Sequence, residues 1–266
     1  MNNNRVKEAA DALLDSHRTL APIAPLTSTL DGFSVEEAYE VQLRQVARWE
    51  DDGRIVRGHK VGLTSAAIQR QLNVDSPDYG HLMGDMFIQD GEEIPAHRFI
   101  EPRVEPEIGF VLKKGLRGPG VTAAEAINAV DYAVASLEII DSRIADWKIT
   151  LADTIADNAS SGGVILGSRP MKIDQFDLKT TAAVLYRNGE IACTGAGGAV
   201  LGSPINALVW LANTVGRLGV SLEPGSVVLP GAVTAAVPGQ PGDTVTATFA
   251  GLGSVTANFS PDTTTA

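Results

Sequence analysis

The chain lacks the sequence features of secreted and membrane-spanning proteins. It has one cysteine, Cys193, in 266 residues, which excludes an internal disulfide. The N-terminus has no apolar segment of the kind that forms the core of a secretory signal, and no apolar run approaches the roughly 18 residues that indicate a membrane span. We therefore expect a cytoplasmic protein that does not associate with membranes.

Positive charge is also scarce. Lysine and arginine number 21 against 32 aspartates and glutamates, so the formal net charge is −11 and the pI is near 4.8. Nucleic acid would repel such a chain and is not expected as a partner. The sequence has no GxGxxG or Walker motif and no repeating period, which argues against the common nucleotide-binding folds.

Apolar periodicity and capping residues predict a helical front and a strand-rich body. Helices are expected at four places: over 6–20, after the capping boxes that begin at Ser34 and Thr122, and from Pro204 to Gly219. Asn188-Gly189 separates two alternating apolar runs and predicts a β-hairpin. Further strands are expected over 225–229, 244–249 and 254–259, followed by a frayed tail.

Three carboxylates lie within apolar, β-branched runs that are typical of strands: Glu105 and Glu107 in VEPEIGFVL, and Glu138 in VASLEIIDSRI. Alternate side chains of a strand share a face, so Glu105 and Glu107 would project together from backbones roughly 6.6 Å apart. Two buried carboxylates at such a spacing repel each other. Two interpretations remain open: a divalent cation such as Mg²⁺ or Mn²⁺ neutralises them, or they lie on the solvated face of an edge strand, which Pro106 would suit.

Lys60 in RGHKVGLTS is a candidate acid–base residue. Burial among Val56, Val61 and Leu63 would disfavour its charged form and lower its pKa toward the acid–base range. The alternative is a strand lysine whose ammonium reaches solvent. His59 would face away from Lys60 in a strand and is interpreted as structural.

Two polar segments add further candidates. Residues 73–81 have turn composition and predict a loop, in which Asp78 positions a water, pairs with Lys60 or only forms the turn. His81 and His97 have no ligand spacing to another His or Cys and receive no metal role. Residues 153–163, DTIADNASSGG, are small and hydrogen-bonding, which predicts either a close backbone approach to a ligand or a capped turn.

Six ordered motifs resemble the hydratase and decarboxylase family of meta-cleavage pathways, within the fumarylacetoacetate hydrolase superfamily: GHKVGLTS, SPDYGHL, VEPEIGFVL, LEIIDSRIADWKI, DTIADNASSGG and GLGSVTANF. The resemblance covers nearly the whole chain. It implies an α+β fold of the fumarylacetoacetate-hydrolase type, a mixed β-sandwich or roll with an N-terminal helical region. Residues 1–266 would form one catalytic domain, with a helical region over 1–75, a β-rich metal-binding body over 76–259 and a tail over 260–266.

The resemblance also implies a set of site residues. They are the metal ligands Glu105, Glu107 and Glu138 for Mg²⁺ or Mn²⁺, the catalytic residues Lys60 and Asp78, and the substrate-binding residues Leu63, Asn158 and Ser160. Family membership further implies a homo-oligomer and association with a neighbouring enzyme of the pathway.

Two reactions are compatible with this family. The main expectation is a metal-dependent hydratase, a hydro-lyase that adds water to 2-hydroxypenta-2,4-dienoate or an alkyl homologue to give a 4-hydroxy-2-oxo acid in aromatic or steroid catabolism. The alternative is decarboxylation of a 2-oxo-hexenedioate. The run VTAAVP at 233–238 resembles the decarboxylase pattern at the same place. A second substrate carboxylate would need a cation, for which Arg103 and Arg143 are candidates. A catalytically inactive binding or assembly subunit is a further alternative.

Overall fold

The described structure, a computed structural model covering residues 3–72 and 74–262, has an N-terminal group of helices and two β-sheets. Its helices are α1 (Asn3–Thr19), α2 (Leu26–Thr29), α3 (Val35–Asp51), α4 (Ala66–Leu72), α5 (Ala123–Ala129), α6 (Leu151–Ala156) and α7 (Pro204–Arg217). Its strands are β1 (Val56–Gly62), β2 (Asp78–Met83), β3 (Phe87–Ile88), β4 (Glu93–Ile94), β5 (Arg103–Leu112), β6 (Val130–Ile140), β7 (Ser161–Leu166), β8 (Ala182–Arg187), β9 (Glu190–Ala196), β10 (Val227–Leu229), β11 (Val237–Pro238), β12 (Thr244–Phe249) and β13 (Gly253–Phe259). The α+β class with an N-terminal helical region is confirmed.

The predicted helical region 1–75 also contains β1, which belongs to the large sheet. The division of the chain into regions 1–75, 76–259 and 260–266 otherwise stays a prediction. Residues 263–266 of the expected tail lie outside the described residues.

Local signals predicted several elements well. The Ser34 hydroxyl accepts the Glu37 backbone N–H and the Glu37 side chain accepts the Ser34 N–H, which is the capping box expected at the start of α3. Asn188 and Gly189 have φ of 54° and 83° and join the antiparallel strands β8 and β9. Two successive positive φ values are what the tight hairpin turn requires, and Asn-Gly adopts them at low cost.

The large sheet places β5 in its interior. Its strand order is β2-β1-β10-β5-β6-β7-β3, with β11 also paired to β5. The edge position expected for β5 from Pro106 is therefore wrong. Proline is tolerated because β10 pairs with Phe110 and Val111 while β11 pairs with Arg103 and Val104, so no regular ladder crosses Pro106 on that side.

The segment 73–81 is only partly a loop. Residues 78–81 belong to β2, which pairs along β1 with Gly80 opposite Lys60, so the loop prediction is wrong for them. The turn-like composition reflects local preference only, whereas burial of Tyr79 and pairing with β1 select the extended conformation. Residue 73 lies outside the described residues.

The N-terminal helices support β2 from outside the sheet. Tyr39 of α3 stacks on Tyr79 with ring centroids 5.0 Å apart. The Gln42 side-chain amide donates to the carbonyls of Tyr79 at 2.8 Å and Ile155 at 2.9 Å, which ties α3 to both β2 and α6. These contacts hold together the two segments that carry Asp78 and the turn after α6.

One stretch, Gly197–Arg217, is long and apolar enough by composition to cross a membrane, with a mean hydropathy of 1.2. Its α-helical part, α7, has 14 residues. At 1.5 Å per residue α7 is about 21 Å long, shorter than the ~30 Å apolar layer of a bilayer. Leu208 and Leu211 are fully buried in the main core, as in a core helix of a globular protein.

Candidate active site and metal centre

Side-chain alternation brings the three predicted carboxylates together. Glu105 and Glu107 project from the same face of β5, and Glu138 of β6 is the direct cross-strand partner of Glu105. One oxygen from each carboxylate lies within 4.8 Å of the others. Glu107 and Glu138 are 0% and 1% exposed, and Glu105 is half-buried. The solvated-face interpretation is therefore wrong, and the three residues form what we call the carboxylate cluster.

The carboxylate cluster carries negative charge that the described residues neutralise only in part. Burial raises the pKa of all three carboxyls, and repulsion by Glu138 adds to the rise at Glu105, whose pKa reaches about 7, and at Glu107. Glu107 Oε1 and Glu138 Oε2 have no hydrogen-bond donor among the described residues, and Glu138 Oε1 has the Lys60 ammonium 3.2 Å away. An all-carboxylate donor set of this kind suits hard divalent cations such as Mg²⁺, Mn²⁺ and Ca²⁺. The residues present therefore fit a divalent metal ion.

Gly231 completes the environment of Glu107. Its backbone N–H donates to Glu107 Oε2 at 2.6 Å. Its φ is +126°, and a Cβ at this position would lie 2.1 Å from Thr64 Oγ1, so only glycine allows the contact. No local signal in the sequence distinguished this glycine from others in turns, because its role depends on a strand more than a hundred residues away.

Lys60 is a buried cation beside the carboxylate cluster. Its Nζ lies 3.2 Å from Glu138 Oε1, and the residue is 3% exposed, so the alternative of a solvent-reaching ammonium is wrong. Burial alone would lower the pKa of Lys60, but the carboxylates of Glu138, Asp78 and Glu105 outweigh burial and raise it. The direction is opposite to the one expected from apolar neighbours alone. Lys60 therefore holds a proton next to the cluster.

Asp78 lies close to Lys60, and the side chains of both residues lie next to Gly62. A Cβ on Gly62 would lie 2.2 Å from Asp78 Oδ1 and 3.4 Å from Lys60 Nζ, so the absence of a side chain leaves room for both groups. Thr154 donates to Asp78 Oδ2 at 3.1 Å, while Asp78 Oδ1 has no hydrogen-bond donor among the described residues. Burial raises the pKa of Asp78 and Lys60 opposes the rise. Asp78 thus has a free oxygen that can accept a proton.

A cavity of about 550 Å³ opens onto these groups. Lys60, Asp78 and Glu105 line it, and so do two of the predicted substrate-binding residues, Leu63 and Ser160. A cleft of about 850 Å³ lies between α1 and α3, but no member of the carboxylate cluster lines that cleft. The smaller cavity is the candidate active site.

Asn158 is not placed in the cavity, in contrast to the prediction. It is fully buried, its Oδ1 accepts the His81 backbone N–H at 2.8 Å, and its Nδ2 donates to the His81 carbonyl at 2.9 Å. Both polar atoms of the amide are used to hold the turn after α6 against β2. Its role in this structure is positional.

A buried ion pair shapes the turn that carries Ser160. Asn158, Ala159 and Ser160 have φ of 51°, 51° and 54°, a left-handed conformation that is costly for non-glycine residues. Arg143 Nε donates to Asp157 Oδ1 at 2.5 Å, and the same guanidinium donates to the backbone carbonyls of Asp157 and Ser161. We call this arrangement the Arg143–Asp157 clamp. It holds the strained turn and presents Ser160 to the cavity.

The clamp also corrects an expectation. Arg143 is 2% exposed, and its guanidinium is engaged by Asp157 and by two carbonyls, so it is not available to bind a second substrate carboxylate. Of the two arginine candidates, only Arg103 lines the cavity.

His59 lies on the opposite face of β1 from Lys60, as expected. Its ring packs against that of His81 with centroids 4.8 Å apart, and both residues are buried. Burial lowers the pKa of both imidazoles, that of His81 to about 4, so both are neutral near pH 7. His59 therefore has a structural role, as a neutral, buried ring that packs on His81 of β2.

Known proteins with similar sequences identify the family of this chain. The model of the fumarylacetoacetate hydrolase C-terminal family matches residues 52–260. This chain belongs to the fumarylacetoacetate hydrolase family. It is 46% identical over 253 residues to a 2-keto-4-pentenoate hydratase of Paraburkholderia xenovorans strain LB400, which covers 95% of this chain and 94% of the relative. It is 44% identical over 232 residues to a 2-oxo-hept-4-ene-1,7-dioate hydratase of Escherichia coli, which covers 85% and 87% of the two chains.

Among solved structures, the 4-oxalocrotonate decarboxylase from Pseudomonas putida G7 in complex with magnesium and adipate is similar to this member of the family. The TM-score is 0.94 at 36% identity, with 97% of this chain and 98% of that chain covered. The same decarboxylase has also been solved with calcium and acetate. These relatives confirm the hydratase and decarboxylase family that the six motifs indicated.

Proposed function

We propose that the protein is a metal-dependent hydro-lyase that adds water to 2-hydroxypenta-2,4-dienoate or an alkyl homologue and yields a 4-hydroxy-2-oxo acid. The observation that carries this proposal is that Lys60, Asp78 and Glu105 line a single cavity, while Glu107 and Glu138 lie beside Glu105 in the carboxylate cluster. The high identity to 2-keto-4-pentenoate hydratases over nearly the whole chain supports it.

Glu105, Glu107 and Glu138 would hold Mg²⁺ or Mn²⁺. When bound, such an ion supplies positive charge that stabilises the negative charge that develops at the 2-oxo acid end of the substrate. The magnesium and calcium complexes of the related decarboxylase support a hard divalent cation in this family. Proton handling is left to the protein's own side chains.

The reaction has two steps, and each moves one proton from an oxygen and one to a carbon. The dienol loses the proton of its C2 hydroxyl and gains one at C5, which gives an α,β-unsaturated 2-oxo acid. Water then adds its hydroxyl to C4 while C3 takes a proton. Asp78, with its free Oδ1 and raised pKa, orients the water and accepts its proton, and Lys60 keeps a proton available beside the substrate.

Leu63 and Ser160 line the cavity and are proposed to contact the substrate. Leu63 has a φ of 57°, so it belongs, like Ser160, to a strained backbone segment next to the reacting groups. Strain at both positions is consistent with a backbone shaped for binding rather than for stability.

The test is turnover of 2-hydroxypenta-2,4-dienoate, followed by loss of the dienol and by product identification. Protein treated with a chelator should be inactive, and Mg²⁺ or Mn²⁺ should restore hydration. Absence of hydration in both the chelated and the metal-supplemented protein would overturn the proposal.

Decarboxylation is the second candidate because the similar solved structure is a decarboxylase bound to a dicarboxylate, adipate. It would use the same metal-binding end of the cavity. Release of CO₂ from 2-oxo-hexenedioate, compared with water addition to the monocarboxylate dienol, decides between the two. An inactive assembly subunit is disfavoured, because buried, repelling carboxylates would destabilise a scaffold without benefit.

The relatives are metabolic enzymes of bacteria, and a small dienoic acid is the proposed substrate of this protein. A homo-oligomeric state, association with a neighbouring pathway enzyme and cytoplasmic location stay predictions from the sequence. The predictions that nucleic acid and membranes are not partners rest on net charge and composition.

A further inference from the structure

One side chain of α3 joins the two segments that carry Asp78 and Thr154. The Gln42 amide donates to the Tyr79 carbonyl at 2.8 Å and to the Ile155 carbonyl at 2.9 Å. Both partners are carbonyl oxygens, so the two N–H groups of the amide face them and both are used. Gln42 is fully buried. A single amide therefore fixes the spacing between β2 and α6.

Each of these carbonyls belongs to the residue that follows a side chain of the candidate site. Asp78 precedes Tyr79 in β2, and Thr154 precedes Ile155 in α6. The Thr154 hydroxyl donates to Asp78 Oδ2 at 3.1 Å, and both residues are buried and line the cavity. The backbone spacing that Gln42 sets is therefore the spacing that the hydrogen bond between Thr154 and Asp78 must span.

This hydrogen bond makes the two oxygens of Asp78 unequal. Oδ2 accepts the Thr154 hydroxyl, whereas Oδ1, which lies next to Gly62 on the side of Lys60, has no hydrogen-bond donor among the described residues. The last torsion of a carboxylate side chain is broad unless a neighbour restricts it. Thr154 supplies that restriction, so the free oxygen is held in one orientation before the reaction begins.

The N-terminal region also holds α6 at its first turn. Thr27 of α2 donates its backbone N–H to Asp153 Oδ1 at 3.0 Å and its hydroxyl to Asp153 Oδ2 at 2.7 Å. Asp153 is fully buried and also accepts the Thr150 N–H at 3.0 Å. The residues on both sides of Thr154 are thus tied to α2 or α3, so these helices determine where Thr154 lies.

We propose that Gln42 and Thr154 are positioning residues for hydration. Gln42 sets the separation of β2 and α6, and Thr154 holds the Asp78 carboxylate so that Oδ1 accepts the proton of the attacking water. The inference rests on the proposed function, in which Asp78 is the proton acceptor. It gives the N-terminal helices a part in catalysis, although no described residue of α1, α2 or α3 lines the cavity.

Steady-state hydration of 2-hydroxypenta-2,4-dienoate by the Mg²⁺-supplemented full chain tests the proposal. Thr154→Val removes the hydroxyl at nearly constant volume, and Gln42→Met removes the amide at similar length. Each should lower kcat by about tenfold, as expected for one lost hydrogen bond to a charged group, and should leave KM within about twofold. Thr154→Ser keeps a hydroxyl and should recover most of the lost kcat.

A double variant tests whether the two residues act through one contact. Gln42→Met combined with Thr154→Val should be about as slow as the slower single variant, because either change frees the Asp78 carboxylate. Independent effects would instead multiply to about a hundredfold loss. Calorimetric titration of Mn²⁺ should give the wild-type affinity in every variant, because neither residue belongs to the carboxylate cluster.

Gln45→Met is the matched control. Gln45 is also fully buried on α3, but its amide donates to the carbonyls of Val41 at 3.3 Å and Ala156 at 2.7 Å and so does not tie α3 to β2. Its replacement should lower Tm as Gln42→Met does, because both remove a buried amide, and should keep kcat within about twofold of the wild type.

Several results would overturn the inference: wild-type kcat in Thr154→Val, a raised KM with unchanged kcat, multiplicative losses in the double variant, or a parallel loss of Mn²⁺ affinity. The comparison of Thr154→Val with Thr154→Ser decides the role of Thr154 even where Gln42→Met does not fold, and equal rates in these two variants would contradict it. A wild type that does not hydrate the dienol would instead overturn the proposed function.

Discussion

The protein buries two charged groups of residues, and they differ in how well their charges are neutralised by neighbouring groups. In the Arg143–Asp157 clamp, the carboxylate receives the guanidinium and the Arg143 backbone N–H, and the guanidinium also donates to two carbonyls. In the carboxylate cluster, three like charges face one another, Glu107 Oε1 and Glu138 Oε2 have no hydrogen-bond donor among the described residues, and Lys60 is the cation beside Glu138. The first arrangement is complete, whereas the second requires a cation.

This difference separates a structural from a functional role for buried charge. A fully hydrogen-bonded ion pair fixes a local conformation, here the left-handed turn at Asn158, Ala159 and Ser160. Buried carboxylates that repel one another cost stability, and Lys60 alone offsets only part of that charge. The comparison predicts different effects when one charge is removed. In the carboxylate cluster the loss should affect activity and leave the fold intact, whereas in the Arg143–Asp157 clamp it should lower the free energy of unfolding.

The largest effect is expected from Glu138→Gln. The change removes a metal ligand and the ion-pair partner of Lys60, so hydration of 2-hydroxypenta-2,4-dienoate should fall by at least about 10³-fold. The circular dichroism spectrum should match that of the wild type, because one repelling charge has been removed from the interior. Turnover within tenfold of the wild type would remove Glu138 from the metal site.

Asp157→Asn should break the clamp. It leaves the buried Arg143 guanidinium without its counter-charge, which typically costs about 3–5 kcal/mol of unfolding free energy, measured by chemical denaturation. Asp11→Asn is the control, since the Lys7–Asp11 pair is exposed and its loss should cost less than about 1 kcal/mol. Equal stability losses in the two variants would contradict a structural role for the clamp.

Lys60→Met should reduce kcat by about 10²-fold or more, because the side chain holds the proton beside the substrate. Lys60 is not a member of the carboxylate cluster, so Mn²⁺ should still bind to this variant. Loss of both properties together would show that Lys60 organises the metal site instead of handling a proton.

The smallest effect concerns pH. In chelator, Glu105 has a pKa of about 7 in the folded protein against 4.5 ordinarily, so the native state binds a proton that the unfolded chain has released. Stability from this group is lost as pH rises through 7, and Tm should fall by a few degrees, about 2–4 °C per kcal/mol, between about pH 6.5 and 8. Below this range the buried histidines, whose pKa values are lowered, act in the opposite direction.

Glu105→Gln should flatten this part of the pH profile. Excess Mg²⁺ should reverse its slope, because the ion binds the deprotonated carboxylates. A wild-type Tm that rises with pH in chelator would contradict the charge repulsion in the cluster.

Local patterns in the sequence predicted the features that depend on neighbouring residues. Alternation placed Glu105 and Glu107 on one face, and the Asn188-Gly189 turn and the Ser34 capping box formed as expected. Six motifs and their order identified the family. These features require only the backbone periodicity and the side chains within a few positions.

Other features depend on distant segments and were not predictable in this way. The strand conformation of Asp78 and the interior place of Pro106 follow from which strands pair. The pKa of Lys60 rises because carboxylates from several strands converge on it, although its sequence neighbours alone suggest the reverse. Gly231 and the Arg143–Asp157 clamp became visible only as contacts between distant positions.

The most direct test of the central claim is titration of Mn²⁺ into the wild type and Glu107→Gln, with calorimetry or paramagnetic resonance as the readout. The carboxylate cluster predicts one Mn²⁺ per chain in the wild type and affinity lowered by at least about tenfold in the variant. Glu93→Gln, which changes an exposed carboxylate on β4, should bind as the wild type does. A wild type that binds no Mn²⁺, or equal affinity in wild type and Glu107→Gln, would contradict the assignment of the three carboxylates as a metal site.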